Sequence, residues 1–252
     1  MVDSMFIKTF ATNLLCGFIP SKSVRHRIRV RAHFDIKSYV DFAVRDAGLH
    51  NPTVRTYQGH NGMKKIIVVL NNTVAYKFPL VAARADSPRR EKMFADAFRN
   101  VSPVRLPKME LLQFRGMDVL KYEFITGETL GTMRPRDVRR HADKIASQLA
   151  AFIYQIGTSD PAELKSLRPR GAKPSFMYGW YHGDIGGNFI VNPETGDIVA
   201  FIDWETAGFC DWTNDIVAAY RFMSKRGFGD VMMRAVLEYG HLYAAGQVKK
   251  GK

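Results

Sequence analysis

The sequence predicts an α+β domain of two lobes, and three observations carry that prediction. Segments rich in Val, Ile and Tyr crowd residues 53–124, helical periodicity takes over from about Arg136, and no internal repeat or low-complexity linker intervenes. At 252 residues the chain can bury a substantial core. With 46% hydrophobic and 24% charged residues it has an ordinary globular composition, which excludes a disordered polypeptide.

Residues 1–50 read as a basic N-terminal extension and a helix. The apolar run Phe10–Ile19 is interrupted by Thr12 and Asn13 and stops at Pro20, too short to span a bilayer. It lacks a small-residue cleavage site and leads straight into arginines, which argues against a cleaved signal peptide. Residues 20–34 carry five Lys/Arg and no acid. Asp35 then reads as an N-cap, with an amphipathic helix over Ile36–Leu49 and Gly48 near its end. The only two cysteines, Cys16 and Cys210, have no metal-ligand spacing and point to a reducing, cytoplasmic setting.

Residues 51–125 form the expected first lobe. Thr53–Gln58, Met63–Leu70 and Thr73–Phe78 are strand candidates, with Asn71-Asn72 as a tight turn. A helix is expected over Pro88–Asn100, then a hairpin of Glu110–Phe114 and Met117–Phe124 turned by Arg115-Gly116. Residues 126–252 form the second lobe. Ile145, Leu149, Phe152, Ile153 and Ile156 share one helical face, and Gly157 is expected to stop that helix. Short strands near Trp180–His182, Phe189–Asn192 and Ile198–Ile202 follow, with a turn at Pro193–Gly196. Two helices close the chain, near Trp212–Lys225 and Asp230–Ala245.

The chemistry concentrates in Tyr181-His182-Gly183-Asp184-Ile185-Gly186-Gly187-Asn188 and Phe201-Ile202-Asp203-Trp204-Glu205. Phosphoryl transfer from ATP needs a carboxylate to position the attacking hydroxyl and oxygen ligands to hold Mg²⁺ against the phosphates. Asp184, Asn188 and Asp203 supply that set in compact chain order. These segments, with Ala207-Gly208, Asp211 and Asp215-Ile216 downstream, resemble the aminoglycoside phosphotransferase and choline kinase-like family, distant relatives of protein kinases. The resemblance runs from roughly residue 53 to 220.

It implies a two-lobed protein-kinase-like fold, with a small β-rich N-lobe and a mainly helical C-lobe, using ATP and Mg²⁺. By the same resemblance Asp184 is catalytic, and Asn188 and Asp203 hold metal. Lys77 on the third strand pairs with phosphates, Glu91 on the next helix pairs with Lys77, and Gly59 and Gly62 let backbone approach the nucleotide. Tyr122, Glu123, Phe124 and Ile125 look like the linker whose backbone binds adenine. His182 supports the loop, and Asp215 buttresses it. Each piece alone has an ordinary reading: a strand lysine that snorkels, a glycine hairpin, a solvated helix face, a turn with a capping aspartate. Their order and spacing carry the assignment.

Two departures stand out. Asn188 follows Asp184 by four residues where the family has five, with Gly186-Gly187 to absorb the change, and Gly157 stands where many relatives carry His. The formal charge of +13 is also uneven: 21 Lys+Arg against 10 Asp+Glu over residues 1–126, but 16 against 14 over 127–252. With little acid to spare, the chain does not suit a cationic acceptor, and an anionic one is expected. The short motif Leu15–Lys22 followed by arginines resembles a leader of bacterial surface-polysaccharide enzymes. A sugar or glycan kinase working at the cytoplasmic face of the membrane is the expectation, with peripheral contact through the basic segment. A compact protein kinase and a partner-binding pseudokinase remain open alternatives. Nucleic acid is not an expected partner, because the arginine segment lacks interleaved aromatics.

Overall fold

A computed structural model describes residues 35–58, 65–80 and 87–250. The chain divides into two compact units. The first runs to Pro88 and includes Glu110–Phe124; the second comprises Arg89–Met109 and everything from Ile125 onward. The basic segment 20–34 and the turn holding Gly59 and Gly62 lie outside the described residues. Among the described residues no helix is long and apolar enough to cross a membrane.

In the first unit, helix α1 (Ile36–Ala47) starts where Asp35 accepts a hydrogen bond from the Ser38 amide, and Gly48 closes it at φ 63°. Strands β1 (Val54–Gln58), β2 (Lys65–Leu70), β3 (Val74–Pro79), β4 (Met109–Phe114) and β5 (Met117–Glu123) form one sheet in the order β1-β2-β3-β5-β4. The β2–β3 turn is the expected one: Thr73 N–H donates to Leu70 O, and Asn71 and Asn72 both sit at positive φ. Strand alternation sends Ile66, Val68, Leu70, Tyr76 and Phe78 onto Tyr39 and Ala43 of α1. Ala75 and Lys77 therefore belong to the opposite face, Lys77 in register between Ile67 and Leu120.

Tyr76 Oη donates to Asp46 at 2.7 Å, and Lys121 Nζ reaches the same carboxylate at 2.7 Å. Burial pushes the Asp46 carboxyl up, but the Lys121 and Tyr76 hydrogen bonds outweigh it and leave the group below its ordinary value. A depressed carboxyl stabilises the fold above its unfolded value, near pH 3.9, and loses that contribution as pH falls through its folded value. Asp46→Asn is thus expected to cost about 1 kcal/mol at neutral pH and less at about pH 3. Urea unfolding at both pH values checks this, and an equal cost at both would contradict the coupling.

In the second unit, α2 (Ser87–Phe98) is anchored by aromatics: Phe94 and Phe98 pack on Trp180 at 5.9 and 6.0 Å, and Phe98 stacks on Trp204 at 5.6 Å. Each such pair contributes roughly 0.5–1.5 kcal/mol beyond its burial. Helix α3 (Pro135–Arg140) leads into α4 (Ala142–Thr158), whose buried face holds Ile145, Leu149, Phe152, Ile153 and Ile156 as its periodicity predicts. Helices α5 (Thr213–Ser224) and α6 (Gly229–Lys250) close the chain. Two small sheets complete the unit: β6 (Glu128–Thr129), β8 (Phe189–Val191) and β9 (Ile198–Phe201) in the order β6-β8-β9, and β7 (Tyr178–Tyr181) paired with β10 (Gly208–Asp211).

Gly157 does not stop α4, which runs on through Thr158 to a cap at Ser159. The glycine that matters is its neighbour in space. A β-carbon on Gly179 of β7 would lie 2.2 Å from the Gly157 carbonyl oxygen, so strand and helix touch backbone to backbone.

Candidate active site

The sharp corner after β7 is held by one imidazole. His182, 1% exposed, accepts the Asp184 amide proton at Nδ1 (3.3 Å), which leaves the proton on Nε2 to donate to the Ile202 carbonyl at 2.9 Å. Thr206 Oγ1 donates to the His182 carbonyl at 3.3 Å. Gly183 sits at φ 86°, and a β-carbon there would meet the Thr206 carbonyl oxygen at 2.4 Å. The loops 182–184 and 202–206 are therefore stapled at three points. His182 Nε2, the Thr206 hydroxyl and the glycine contact lock the Asp184 turn to the segment carrying Asp203.

Asn188 completes the loop. Its Nδ2 donates to the Asp184 carbonyl at 2.9 Å, and its own carbonyl accepts from the Ile202 amide at 2.9 Å. The four-residue spacing closes on itself in this way, with Gly186 and Gly187 against α5: β-carbons there would lie 3.2 Å from Ala219 Cα and 3.3 Å from Phe222 Cζ. The Asn188 Nδ2 is thus committed, and Oδ1 is the oxygen it can offer a cation.

Asp203 adopts left-handed backbone angles, φ 68° and ψ 56°, a conformation that costs a non-glycine residue about 1 kcal/mol. It brings Asp203 together with Glu205 and the 2%-exposed Glu91 of α2, their carboxylate oxygens within 4.8 Å of one another. Oxygen donors alone, from these residues and Asn188, suit a hard divalent cation such as Mg²⁺. Beside them Arg90 Nη2 donates to the Ala207 carbonyl, which ties α2 to the same loop.

The second unit therefore gathers His182, Asp184, Asn188, Asp203 and Glu91. In the first unit Lys77 is 5% exposed on β3, Tyr122 and Glu123 end β5, and Phe124 donates its amide to the Thr73 carbonyl. Ile125 opens the second unit and packs on Ile190 and Ala200. Gly59 and Gly62 lie outside the described residues, as does the side chain of Asp215. Sequence reasoning missed Glu205 as a member of the carboxylate group. Its signal was the two-residue spacing in Asp203-Trp204-Glu205, which a short 3₁₀ turn over Trp204–Thr206 folds onto one side.

Residues 155–248 match the family model described as the phosphotransferase enzyme family. No curated protein matches the chain in sequence. Among solved structures, the ADP-bound aminoglycoside phosphotransferase APH(2'')-Ib is 12% identical with a TM-score of 0.64, over 82% of this chain and 83% of that one. The GDP complex of aminoglycoside 2'-phosphotransferase-IIIa is 15% identical with a TM-score of 0.58, over 82% and 88%. Macrolide 2'-phosphotransferase type I is 15% identical with a TM-score of 0.54, over 81% of each chain. The likeness to these structures shows the fold, a protein-kinase-like one, and the family-model match spans the stretch that holds His182, Asp184, Asn188 and Asp203.

Proposed function

We propose that the chain transfers the γ-phosphate of ATP to a hydroxyl group of a sugar or glycan in bacterial surface-polysaccharide metabolism. The observation that carries this reading is the double restraint on Asp184: its amide is held by His182 and its carbonyl by Asn188. A carboxylate on a loop so pinned can orient an acceptor hydroxyl and take its proton at a carboxylate oxygen as the acceptor oxygen bonds to the γ-phosphorus and the bond from that phosphorus to the oxygen kept by ADP breaks. Asp203 and Asn188, with Glu205 beside them, would hold Mg²⁺, which when bound would supply neutralisation of phosphate charge. Lys77 of β3 neutralises phosphate charge, and the backbone of Tyr122–Ile125 holds the adenine.

The similar solved structures are named for aminoglycosides and macrolides. Against a cationic acceptor here stands the scarcity of acidic residues, 24 against 37 Lys and Arg over the whole chain. Sugar or glycan acceptors carrying anionic groups fit that balance, and the basic N-terminal segment suits work beside an anionic membrane face.

Thermal unfolding with ATP, Mg²⁺, and both together tests the nucleotide site. The wild-type protein is expected to gain several degrees only with both present, and Asp203→Asn to lose that gain while keeping its unliganded midpoint. Asn is chosen because it tolerates left-handed backbone angles. A full gain in Asp203→Asn would remove Asp203 from the metal site.

A further inference from the structure

The near-neutral balance of residues 127–252 hides a polarised surface. Seven of the sixteen Lys and Arg in that stretch fall in two short segments, Arg134, Arg136, Arg139 and Arg140 around α3, and Arg221, Lys225 and Arg226 at the end of α5. The structure joins them. Arg226 Nη2 donates to the Met133 carbonyl at 3.4 Å, and Arg139 Nη2 lies 3.4 Å from where a β-carbon on Gly227 would stand. The only acid within those segments is Asp137. It is buried and shared by Arg134, Arg136 and Arg140 at 2.6, 3.7 and 3.9 Å, and the Arg134 hydrogen bond holds its carboxyl below the ordinary range. One carboxylate cannot neutralise three guanidiniums, whose side chains are 63–68% exposed.

This basic surface abuts the catalytic loop through one side chain. Phe222 of α5 packs where β-carbons of Gly187 and Gly131 would stand, at 3.3 and 3.6 Å, while Arg226 lies 6.0 Å over the Phe222 ring. Arg221 and Lys225 flank Phe222 one helical turn apart, and both are exposed. Guanidinium groups in such numbers match carboxylate, phosphate or sulfate oxygens by paired hydrogen bonds.

We propose that this face of α3 and α5 binds the anionic groups of the acceptor, a saccharide bearing phosphate, carboxylate or sulfate, and so delivers its hydroxyl to the Asp184 loop. The proposal rests on the phosphotransferase reading for its use of the word acceptor; the binding itself does not.

Titration calorimetry with a sulfated heparin hexasaccharide, a neutral dextran oligomer and ATP tests it, on the wild-type chain and on Arg139→Glu/Arg221→Glu/Lys225→Glu. These three residues make none of the ion pairs to Asp137. Wild-type protein is expected to bind the hexasaccharide and not dextran, more weakly as salt rises, and the triple variant to bind it at least about tenfold more weakly with ATP affinity unchanged. Equal hexasaccharide affinity in both proteins overturns the proposal. So does binding to phosphatidylglycerol vesicles that is lost in the variant while no hexasaccharide binds, because the face would then be a membrane surface. Hexasaccharide binding without any ATP binding would leave the anionic face standing and remove the phosphotransferase reading instead. If the triple variant does not fold, Arg221→Ala alone, with a several-fold loss expected, decides the question.

Discussion

Asp184→Ala is expected to lower phosphoryl transfer by on the order of 10²–10⁴-fold while leaving nucleotide binding intact. The split follows from where Asp184 is held. Its backbone is fixed by the His182 imidazole and the Asn188 amide, so removing the side chain leaves the loop path in place. The nucleotide's expected partners, Lys77, the linker 122–125 and Asp203, are untouched. The expected result is an unaltered thermal shift with ATP and Mg²⁺ and a collapse of labelled-phosphate transfer to acceptor. Full activity in Asp184→Ala would sink the assignment. Loss of both activity and nucleotide binding would mean that Asp184 holds the metal rather than the acceptor.

The second large effect is structural. Gly183→Ala meets two penalties at once: a φ of 86°, and a β-carbon 2.4 Å from the Thr206 carbonyl oxygen. The dihedral alone costs roughly 1–2 kcal/mol. The clash adds more, because the neighbour is backbone held by Trp204–Thr206 and by the Thr206 hydroxyl bond to His182. A total of about 2–4 kcal/mol is expected, with activity falling more than tenfold because the Asp184 corner must move. Gly116→Ala separates the two causes. That glycine has a similar φ of 74° with nothing within 4 Å of a β-carbon, so it should show the dihedral cost only and keep activity. Equal destabilisation by the two substitutions in urea unfolding would show that the Thr206 contact carries no weight.

Much of this was legible in the chain. Periodicity alone located α4, since five apolar residues at helical spacing face one core. The Asp35 cap, the Asn71-Asn72 turn and the Arg115-Gly116 turn could be read because each depends on neighbours a few residues away. The motif around Asp184 was readable for the same reason: loop chemistry is written in consecutive residues. Gly157 shows the limit. It looked like a helix stop, but a glycine can also mark close packing, and only the position of Gly179 on the opposing strand distinguishes the two.

Local order in the chain determined which residues could do chemistry, and it pointed to the class of reaction through the spacing of Asp184, Asn188 and Asp203. Which of them meet was decided in three dimensions. Glu91 lies more than a hundred residues from Asp203, yet aromatic packing of Phe94 and Phe98 on Trp180 and Trp204 carries its helix to the same carboxylate group. The basic face was equally hidden. Net charge sums over a segment regardless of direction, whereas the fold places the α3 and α5 cations side by side. Contacts between distant residues follow from burying apolar surface, and that is a property of the whole chain rather than of any window along it.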